Sequence, residues 1–481
     1  MLLDSDQCYR ALRSHDARFD GRFFVGVATT RIYCRPVCTA RTPHREHCRF
    51  FPSAAAAEGQ GFRPCLRCRP ELAPGFAAVD ANRRLAQSAA GMIEDGRLGD
   101  ARLPELARNL GVTDRHLRRV FQLEFGVSPV EYAQTQRLLL AKRLLTDTDM
   151  AVLEVAMASG FASLRRFNHL FRTRYRMTPA ELRRKAPARG PAERLAFDLA
   201  YRPPYDWDAM LAFLAKRAMA GVEAVDARSY ARTLRLRRGD RAFAGTIRVL
   251  PSPRKAALRV ELSSSLAAVV PSVLARVKQL FDLACHPDEV AEALGPLAQA
   301  HPGLRLPGAM DGFEVAVRAI LGQQVTVQAA ATLAGRFVAA FGEPIDVPDA
   351  RLRFLFPEPA RIAEAAPQRI AALGVVPTRA RAIVALAQEM ASGRLSLEPT
   401  TPVEAACAAL ERIPGVGPWT AQYVAMRALS WPDAFPHPDV AALKAMGERS
   451  AAKALQRSQA WRPWRAYAVL HLWKSLERPL P

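Results

Sequence analysis

The stretch LERIPGVGPWTA, residues 410–421, sets two glycines one residue apart between an apolar helix end and the start of a new helix. Such a hairpin can point backbone amides at a phosphate without side-chain charge and without sequence preference. A lone Gly-x-Gly is weak evidence, but here the acidic loop DAFPHPD (433–439) follows it. A carboxylate suits chemistry that builds positive charge on a sugar, because a nearby anion stabilises an oxocarbenium-like centre and can orient a water. Asp439 is the candidate. Its alternative role is N-cap of a helix beginning Val440-Ala441-Ala442-Leu443, the commoner duty of an isolated aspartate. Asp433 is the competing carboxylate and reads as an exposed loop residue.

Aromatic residues gather around this motif. Trp419 and Tyr423 are one helical turn apart, and Trp473 closes WRAYAVLHLW (464–473). Electron-rich rings stack an extruded base and bind a cationic, alkylated purine better than a neutral one. Core packing is the alternative, and for Trp419 and Tyr423 both readings stand open. Upstream, Phe313, Val317, Ile320 and Leu321 fall at i, i+4, i+7 and i+8 and predict a helix with one apolar face. Before it, Leu234 and Leu236, Ile247 and Val249, and Leu258, Val260 and Leu262 alternate with polar partners. Period two predicts half-buried antiparallel strands.

Near the amino terminus, TTRIYCRPVC (29–38) and GFRPCLRC (61–68) carry Cys34-x3-Cys38 and Cys65-x2-Cys68. Two close pairs complete a tetrahedral zinc shell. Spacing leaves open whether all four sulfurs are structural or one is reactive. Cys8, Cys48, Cys285 and Cys407 stand singly, which is no disulfide framework. MLLDSDQCYR (1–10) lacks the order of a signal peptide, and no apolar run reaches the roughly 18 residues of a membrane span. A soluble protein of the reducing cytoplasm, with no membrane partner, is expected.

Length predicts about three domains. Lys+Arg 68 against Asp+Glu 46 leaves 68 − 46 = +22 over 481 residues, a field that favours a polyanion. Residues 76–185 look helical and contain a repeat. Phe121-x3-Phe125-x2-Ser128-Pro129 recurs as Phe171-x3-Tyr175-x2-Thr178-Pro179, Leu117 matches Phe167, and Ala107-x3-Gly111 recurs as Ala156-x3-Gly160. Small residues let two helices approach, and glycine permits the left-handed turn. This is helix-turn-helix grammar written twice. Asp114, Arg115, His116, Arg118 and Arg119 in one copy, and Ser163, Arg165, Arg166, Asn168 and His169 in the other, are candidate groove-reading positions; a merely solvated face is the alternative.

With these residues in view, the chain resembles a fusion of bacterial repair modules. Residues 1–75 resemble the amino-terminal domain of the Ada adaptive-response protein, and 76–185 an AraC-type double helix-turn-helix. A linker at 186–192 follows, then 193–283 and 284–481, which resemble the two parts of an AlkA-type DNA-3-methyladenine glycosylase II. The last match includes PPYDW (203–207), LFDLACHP (280–287), PGLRLPG (302–308), FEVAVRAILGQQVTVQAA (313–330), the hairpin and PWRAYAVLHLW (463–473). The implied fold is multidomain and predominantly α: a small α+β zinc domain, an all-α double helix-turn-helix, a small antiparallel α+β domain and an all-α helix-hairpin-helix domain.

The resemblance implies one Zn²⁺ on Cys34, Cys38, Cys65 and Cys68, with Cys34 taking a methyl group irreversibly from a DNA methylphosphotriester. Thioether formation lowers the negative charge of the site and strengthens DNA binding. Arg41 matches a DNA-contacting arginine, and Arg115, Arg118, Arg165 and Arg166 belong to the DNA-binding helices. Asp439 is implied as the catalytic aspartate, Trp419, Tyr423 and Trp473 as walls of a base pocket, and Gly415, Val416 and Gly417 as the phosphate-gripping hairpin. Bifunctional relatives carry lysine at the place of Trp419, so a monofunctional enzyme is implied. No cysteine follows Cys407, so no iron–sulfur cluster is expected. The alkyl-acceptor motif PCHR of full-length Ada proteins is missing, so repair of O6-alkylguanine is not expected. Gln324 stands where the family places an apolar wedge. Partners implied are double-stranded DNA, damaged and promoter, and RNA polymerase; location with the bacterial nucleoid follows.

Overall fold

The computed structural model describes residues 5–16, 19–73, 81–94, 103–184, 194–238, 241–253, 255–399 and 401–477. The expected linker at 186–192 and the expected boundary at 75/76 lie outside the described residues. The first segment opens with helix α1 (Ser5–Arg13) and builds a four-stranded sheet from β1 (Phe24–Val27), β2 (Ile32–Cys34), β3 (Cys48–Phe51) and β4 (Arg63–Pro64), in the order β3-β1-β2-β4. Pairing is antiparallel except between β2 and β4. Gly26 in β1 is required by close approach, since a Cβ there would lie 2.6 Å from the Phe51 ring and 2.8 Å from that of Phe62.

Helix α2 (Ala54–Gly59) is nearly all alanine, and its small side chains let it serve two cores. Ala54 and Ala57 pack with Phe24 and Tyr33 of the sheet and with Phe62 just before β4. Ala55 and Ala56 join Leu117, Phe121 and Phe125 of the next segment. That segment runs α3 (Ala81–Glu94), α4 (Leu103–Asn109), α5 (Asp114–Phe125), α6 (Pro129–Asp147), α7 (Val152–Ala158), α8 (Leu164–Tyr175) and α9 (Pro179–Arg184).

The repeat is realised as read. Gly111 and Gly160 turn the chain at φ +67° and +86°, and Leu117, Phe121 and Phe125 are buried like Phe167, Phe171 and Tyr175. Thr113 and Ser163 cap the two second helices, α5 and α8. Ser128 and Glu131 form a capping box at the start of α6, the long helix joining the two copies.

The zinc segment sits on α6 through buried polar contacts. Glu58, fully enclosed, accepts hydrogen bonds from Tyr33 Oη (2.9 Å) and Thr135 Oγ1 (3.1 Å). Lys142 Nζ lies 2.7 Å from both oxygens of Glu71, and Arg69, next to Cys68, bridges Glu71 (3.0 Å) and Asp147 (2.6 Å). Arg174 of α8 donates to the Glu58 carbonyl at 3.1 Å.

The third segment begins with an antiparallel sheet in the order β5-β9-β8-β7-β6, formed by β5 (Arg194–Ala200), β6 (Glu223–Val225), β7 (Tyr230–Arg238), β8 (Arg241–Pro251) and β9 (Ala257–Ser263). The predicted alternation holds in β8 and β9, where Ile247, Val249, Leu258, Val260 and Leu262 are buried and Arg248 and Arg259 exposed, but not in β7, where Arg235 and Leu236 are equally half-buried. Phe197, Leu199, Val249 and Val260 form one continuous cluster with Leu138 and Leu144 of α6 and with Phe167 and Phe171 of the second helix-turn-helix copy.

The remaining helices enclose a large core around the helix Gly312–Leu321. This helix departs from the one-faced pattern predicted for it. Nearly every side chain is buried, and Glu314 is held inside by Arg232 at 2.6 Å. The sheet supplies the arginine that lets a carboxylate enter the core, which helix periodicity could not show.

Candidate active site and metal centre

The parallel pairing of β2 with β4 sets Tyr33 opposite Pro64, so Cys34 and Cys65 leave the sheet side by side, with Cys65 N–H donating to the Tyr33 carbonyl at 3.0 Å. Cys38 and Cys68 follow one turn later. All four Sγ atoms lie within 4.8 Å of one another. A tetrahedral shell with Zn–S near 2.3 Å needs sulfurs about 3.8 Å apart, so the donor set fits Zn²⁺. The chain binds one zinc ion through these four cysteines.

Sequence reasoning missed what fixes this knuckle. The Arg35 backbone N–H donates to Cys68 Sγ at 3.3 Å, and its guanidinium reaches the Cys68 carbonyl at 3.1 Å and Asp20 Oδ1 at 2.8 Å. Arg35 and Asp20 are both buried. Outer partners of this kind orient thiolates. Arg41 is exposed nearby, and Arg115, Arg118, Arg165 and Arg166 are exposed on α5 and α8. Arg118 is tied to Asp114 at 3.2 Å.

The hairpin joins the helices Val403–Glu411 and Pro418–Arg427. Gly415 has φ +91°, a conformation that side chains resist, and Gly417 faces open space. Val416 is buried and pins the turn. Gln323 Nε2 clamps it, donating to the Gly415 carbonyl at 2.9 Å and to Thr420 Oγ1 at 3.0 Å. The next residue, Gln324, is exposed in left-handed backbone (φ +52°), and Val325 beside it is an exposed apolar side chain that sequence reading passed over.

Asp439 does cap the helix Val440–Met446, accepting from Ala442 N–H at 2.8 Å through Oδ1. It does more than cap. Oδ1 also accepts from Trp473 Nε1 at 2.8 Å, and Oδ2 from Trp419 Nε1 at 2.9 Å. Trp419 and Tyr423 stack at 5.3 Å between ring centroids with planes 15° apart, and Tyr423 meets Trp473 at 6.3 Å. Walls and carboxylate are one assembly.

Asp433 is corrected: it is buried and structural. Arg465 grips it with bonds of 2.7 and 2.9 Å, and Arg462 adds one of 2.9 Å. These pairs anchor the start of the helix Arg465–Ser475 to the acidic loop, and so bring Trp473 over Asp439. Gln422 Oε1 accepts from Phe435 N–H at 3.1 Å and pins the same loop to the helix that carries Trp419.

Phe213 was also missed. It borders Trp473 in a cavity of about 50 Å³, with the Arg217 guanidinium 3.7 Å from its ring centroid. Arg427, one turn after Tyr423, donates to the Tyr423 hydroxyl at 2.7 Å and to the carbonyl of Gly308 at 3.0 Å, and also binds that of Pro307. Burial would push the Tyr423 hydroxyl up, but Arg427, Arg217 and Arg318 outweigh it and hold the hydroxyl below its ordinary range.

An open helix-hairpin-helix turn, an aromatic cage on an indole-bound carboxylate, a tetrathiolate centre and two helix-turn-helix units together define a DNA base-excision enzyme joined to a DNA-binding metal domain. Family models agree in register. The metal binding domain of Ada matches residues 7–71, a helix-turn-helix domain 106–185, the AlkA N-terminal domain 196–311, and the HhH-GPD superfamily base excision DNA repair protein 317–462.

A probable bifunctional transcriptional activator/DNA repair enzyme AlkA of Mycobacterium tuberculosis is 39% identical over 492 residues, covering 99% of this chain and 97% of that relative. DNA-3-methyladenine glycosylase 2 of Escherichia coli is 41% identical over 277 residues, covering 58% of this chain and 96% of the relative. The solved 3-methyladenine DNA-glycosylase of Archaeoglobus fulgidus shares the fold, with a TM-score of 0.50 at 20% identity over 58% of this chain and 97% of that one. The chain belongs to the family of bifunctional Ada/AlkA-type transcriptional activator/DNA repair enzymes. Among the described residues no helix is long and apolar enough to cross a membrane.

Proposed function

We propose that this chain repairs and reports alkylation damage in DNA. Its carboxy-terminal part is a monofunctional glycosylase that flips alkylated purines such as 3-methyladenine out of the duplex and excises them. The observation that carries this reading is Asp439, whose two carboxylate oxygens are fixed by the indoles of Trp419 and Trp473 at the edge of the aromatic cage. Gly415, Val416 and Gly417 hold the backbone beside the lesion while Gln324 fills the gap left in the stack. Trp419, Tyr423 and Trp473 stack the extruded base. As the C1′–N bond breaks, the base takes the bonding pair, and Asp439 stabilises the positive charge left on the sugar until water adds at C1′ and loses a proton. With tryptophan at 419 no amine is there to form a Schiff base, so an abasic site remains.

In the amino-terminal domain, bound zinc keeps its four sulfurs as thiolates. Cys34 Sγ attacks the methyl carbon of a methylphosphotriester; the S–C bond forms, the C–O bond breaks, and a phosphodiester anion leaves. The loss of one thiolate charge reduces repulsion from DNA, Arg41 contacts the backbone, and Arg115, Arg118, Arg165 and Arg166 dock the two helix-turn-helix units at a promoter where RNA polymerase is recruited. The protein works at the nucleoid. Purified protein is expected to release alkylated bases from methylated DNA and to gain 14 mass units at Cys34 alone. No base release from the wild type overturns the enzyme reading; an adduct elsewhere or none overturns the sensor reading.

A further inference from the structure

Helix α2 spans only six residues, yet its two ends grip the last turns of both candidate reading helices, α5 and α8. At its start the Ser53 hydroxyl accepts from Ala56 N–H at 3.0 Å, capping α2, and donates at 2.6 Å to the carbonyl of Phe125, the final residue of α5. At its other end the Glu58 carbonyl accepts from Arg174 Nη1, in the last turn of α8, at 3.1 Å. The final carbonyls of a helix have no partner inside it, so each bond satisfies a group that would otherwise need water.

Packing fixes the same junctions. A Cβ on Gly126, which caps α5, would lie 3.2 Å from the Ala56 methyl and 3.3 Å from Pro52 Cγ, so α2 presses closely on that turn. Tyr175, which closes α8, is buried, and β4 of the zinc sheet packs on α8. Between its ends α2 rests on α6, where Leu139 joins Ala54 and Ala57, and Thr135 donates to the Glu58 carboxylate at 3.1 Å.

The other side of α2 belongs to the metal sheet. Ala54 and Ala57 pack with Tyr33, which precedes Cys34, and with Phe62, and β4 leads directly into Cys65. So short a helix does not hold its form alone. Its place is set by that sheet, which the four thiolates tie together when zinc is bound.

We propose that the zinc segment is a brace for sequence reading: through α2 it fixes the distance and angle between α5 and α8, which α6, joining the two copies at one edge, leaves free to vary. Two reading helices enter successive major grooves only at a set spacing, so metal occupancy controls recognition by geometry as well as by the charge of its thiolates. This consequence rests on the DNA-binding reading of α5 and α8 above.

Nitroxides carried by a ketone-bearing amino acid at Gln122 and Thr173, both exposed, spare the eight cysteines and report the α5–α8 distance by double electron–electron resonance in the full chain. The zinc-loaded protein should give one narrow distribution. Chelation should widen it about twofold or more, because freed elements sample several arrangements. Ser53→Ala combined with Arg174→Met, which cuts both grips and leaves all four zinc ligands, should widen it likewise with zinc content unchanged by atomic absorption. Hydrogen exchange should show α5 and α8 still protected; widening that comes only with loss of that protection means unfolding and counts against a brace. Against a duplex selected from a random pool by the zinc-loaded wild type, the double variant should bind about tenfold more weakly, the effect of a competent fraction cut to about a tenth, with affinity for an unselected duplex of equal length kept within about threefold. A distribution that stays narrow in the double variant overturns the inference and leaves α6 to set the spacing. Failure of the wild type to enrich any duplex overturns the DNA-binding reading, and the distance distributions still decide whether the brace exists.

Discussion

Trp473 donates its indole N–H to Oδ1 of Asp439 at 2.8 Å across 34 residues of sequence, and Trp419 holds Oδ2 from the opposite side at 2.9 Å. Asp439 is only 8% exposed. A carboxylate with both oxygens engaged cannot rotate, so its charge is held in place, where the proposed reaction forms the sugar cation. Such preorganisation spares the reorganisation that water would need.

Asp439→Asn keeps a good helix cap but removes the charge. Base release should fall by at least about a hundredfold to a thousandfold, while affinity for an abasic-site duplex stays within about threefold. Single-turnover release and fluorescence anisotropy measure the two separately. Equal loss of both would mean that Asp439 acts in folding or binding.

Trp473→Phe keeps a stacking ring and deletes the donor to Oδ1. A lost hydrogen bond to a charged group corresponds to a kcat lower by about tenfold to a hundredfold, with KM little changed. Trp473→Ala should raise KM as well, because the wall itself goes. Steady-state kinetics on the same lesion distinguish the two variants.

Zinc removal should unfold one part of the chain and spare another. The core around the helix Gly312–Leu321 draws on residues from Met219 onward, none of them in the zinc segment. A chelator, or serine at Cys38, Cys65 or Cys68, is therefore expected to erase the structure of the first 75 or so residues while base release persists. Circular dichroism with parallel release assays, and zinc content by atomic absorption, provide the test. Loss of release with the metal would show that the two parts are coupled.

Burial pushes the Glu58 carboxyl from its ordinary 4.5 up to about 7, against the hydrogen bonds from Tyr33 and Thr135 that favour the charge. Between those values the folded state binds more protons than the unfolded one, so Glu58 makes stability fall as pH rises from 4.5 to 7 and flatten above. The size is on the order of 3 kcal/mol at most. Glu58→Gln should remove this slope and melt higher than the wild type at pH 8. Melting temperatures of both proteins from pH 5 to 8 test it, their difference cancelling the pH dependence of metal binding.

The elements legible in the sequence are those set by short-range geometry. The hairpin, the cysteine pairs, the doubled helix-turn-helix and the alternating strands each depend on spacings of a few residues, and each stands where the pattern placed it. Gly111 and Gly160 are the clearest case: both turn with positive φ at the predicted step of the repeat. One prediction that failed, an exposed Asp433, concerned a residue whose partners Arg462 and Arg465 lie about thirty residues away, beyond the reach of any helix or strand period. The one-faced pattern expected of Gly312–Leu321 failed for the same reason, because Arg232 in a distant strand makes the burial of Glu314 tolerable.

By itself the sequence determined the modules, their order, the metal ligands and the short set of residues from which a catalytic group must come. It left Asp439 between cap and catalyst, and Trp419 between core and wall. Only the tertiary structure showed that the capping carboxylate is also bound by two indoles, and that Trp419, stacked on Tyr423, supplies one of them. It alone brought Phe213 and Arg217 beside Trp473, Arg427 onto the Tyr423 hydroxyl, and Asp20 and Arg35 to the zinc centre. Such contacts join positions tens to hundreds of residues apart, and chain closure over those distances leaves no periodic trace in composition or spacing.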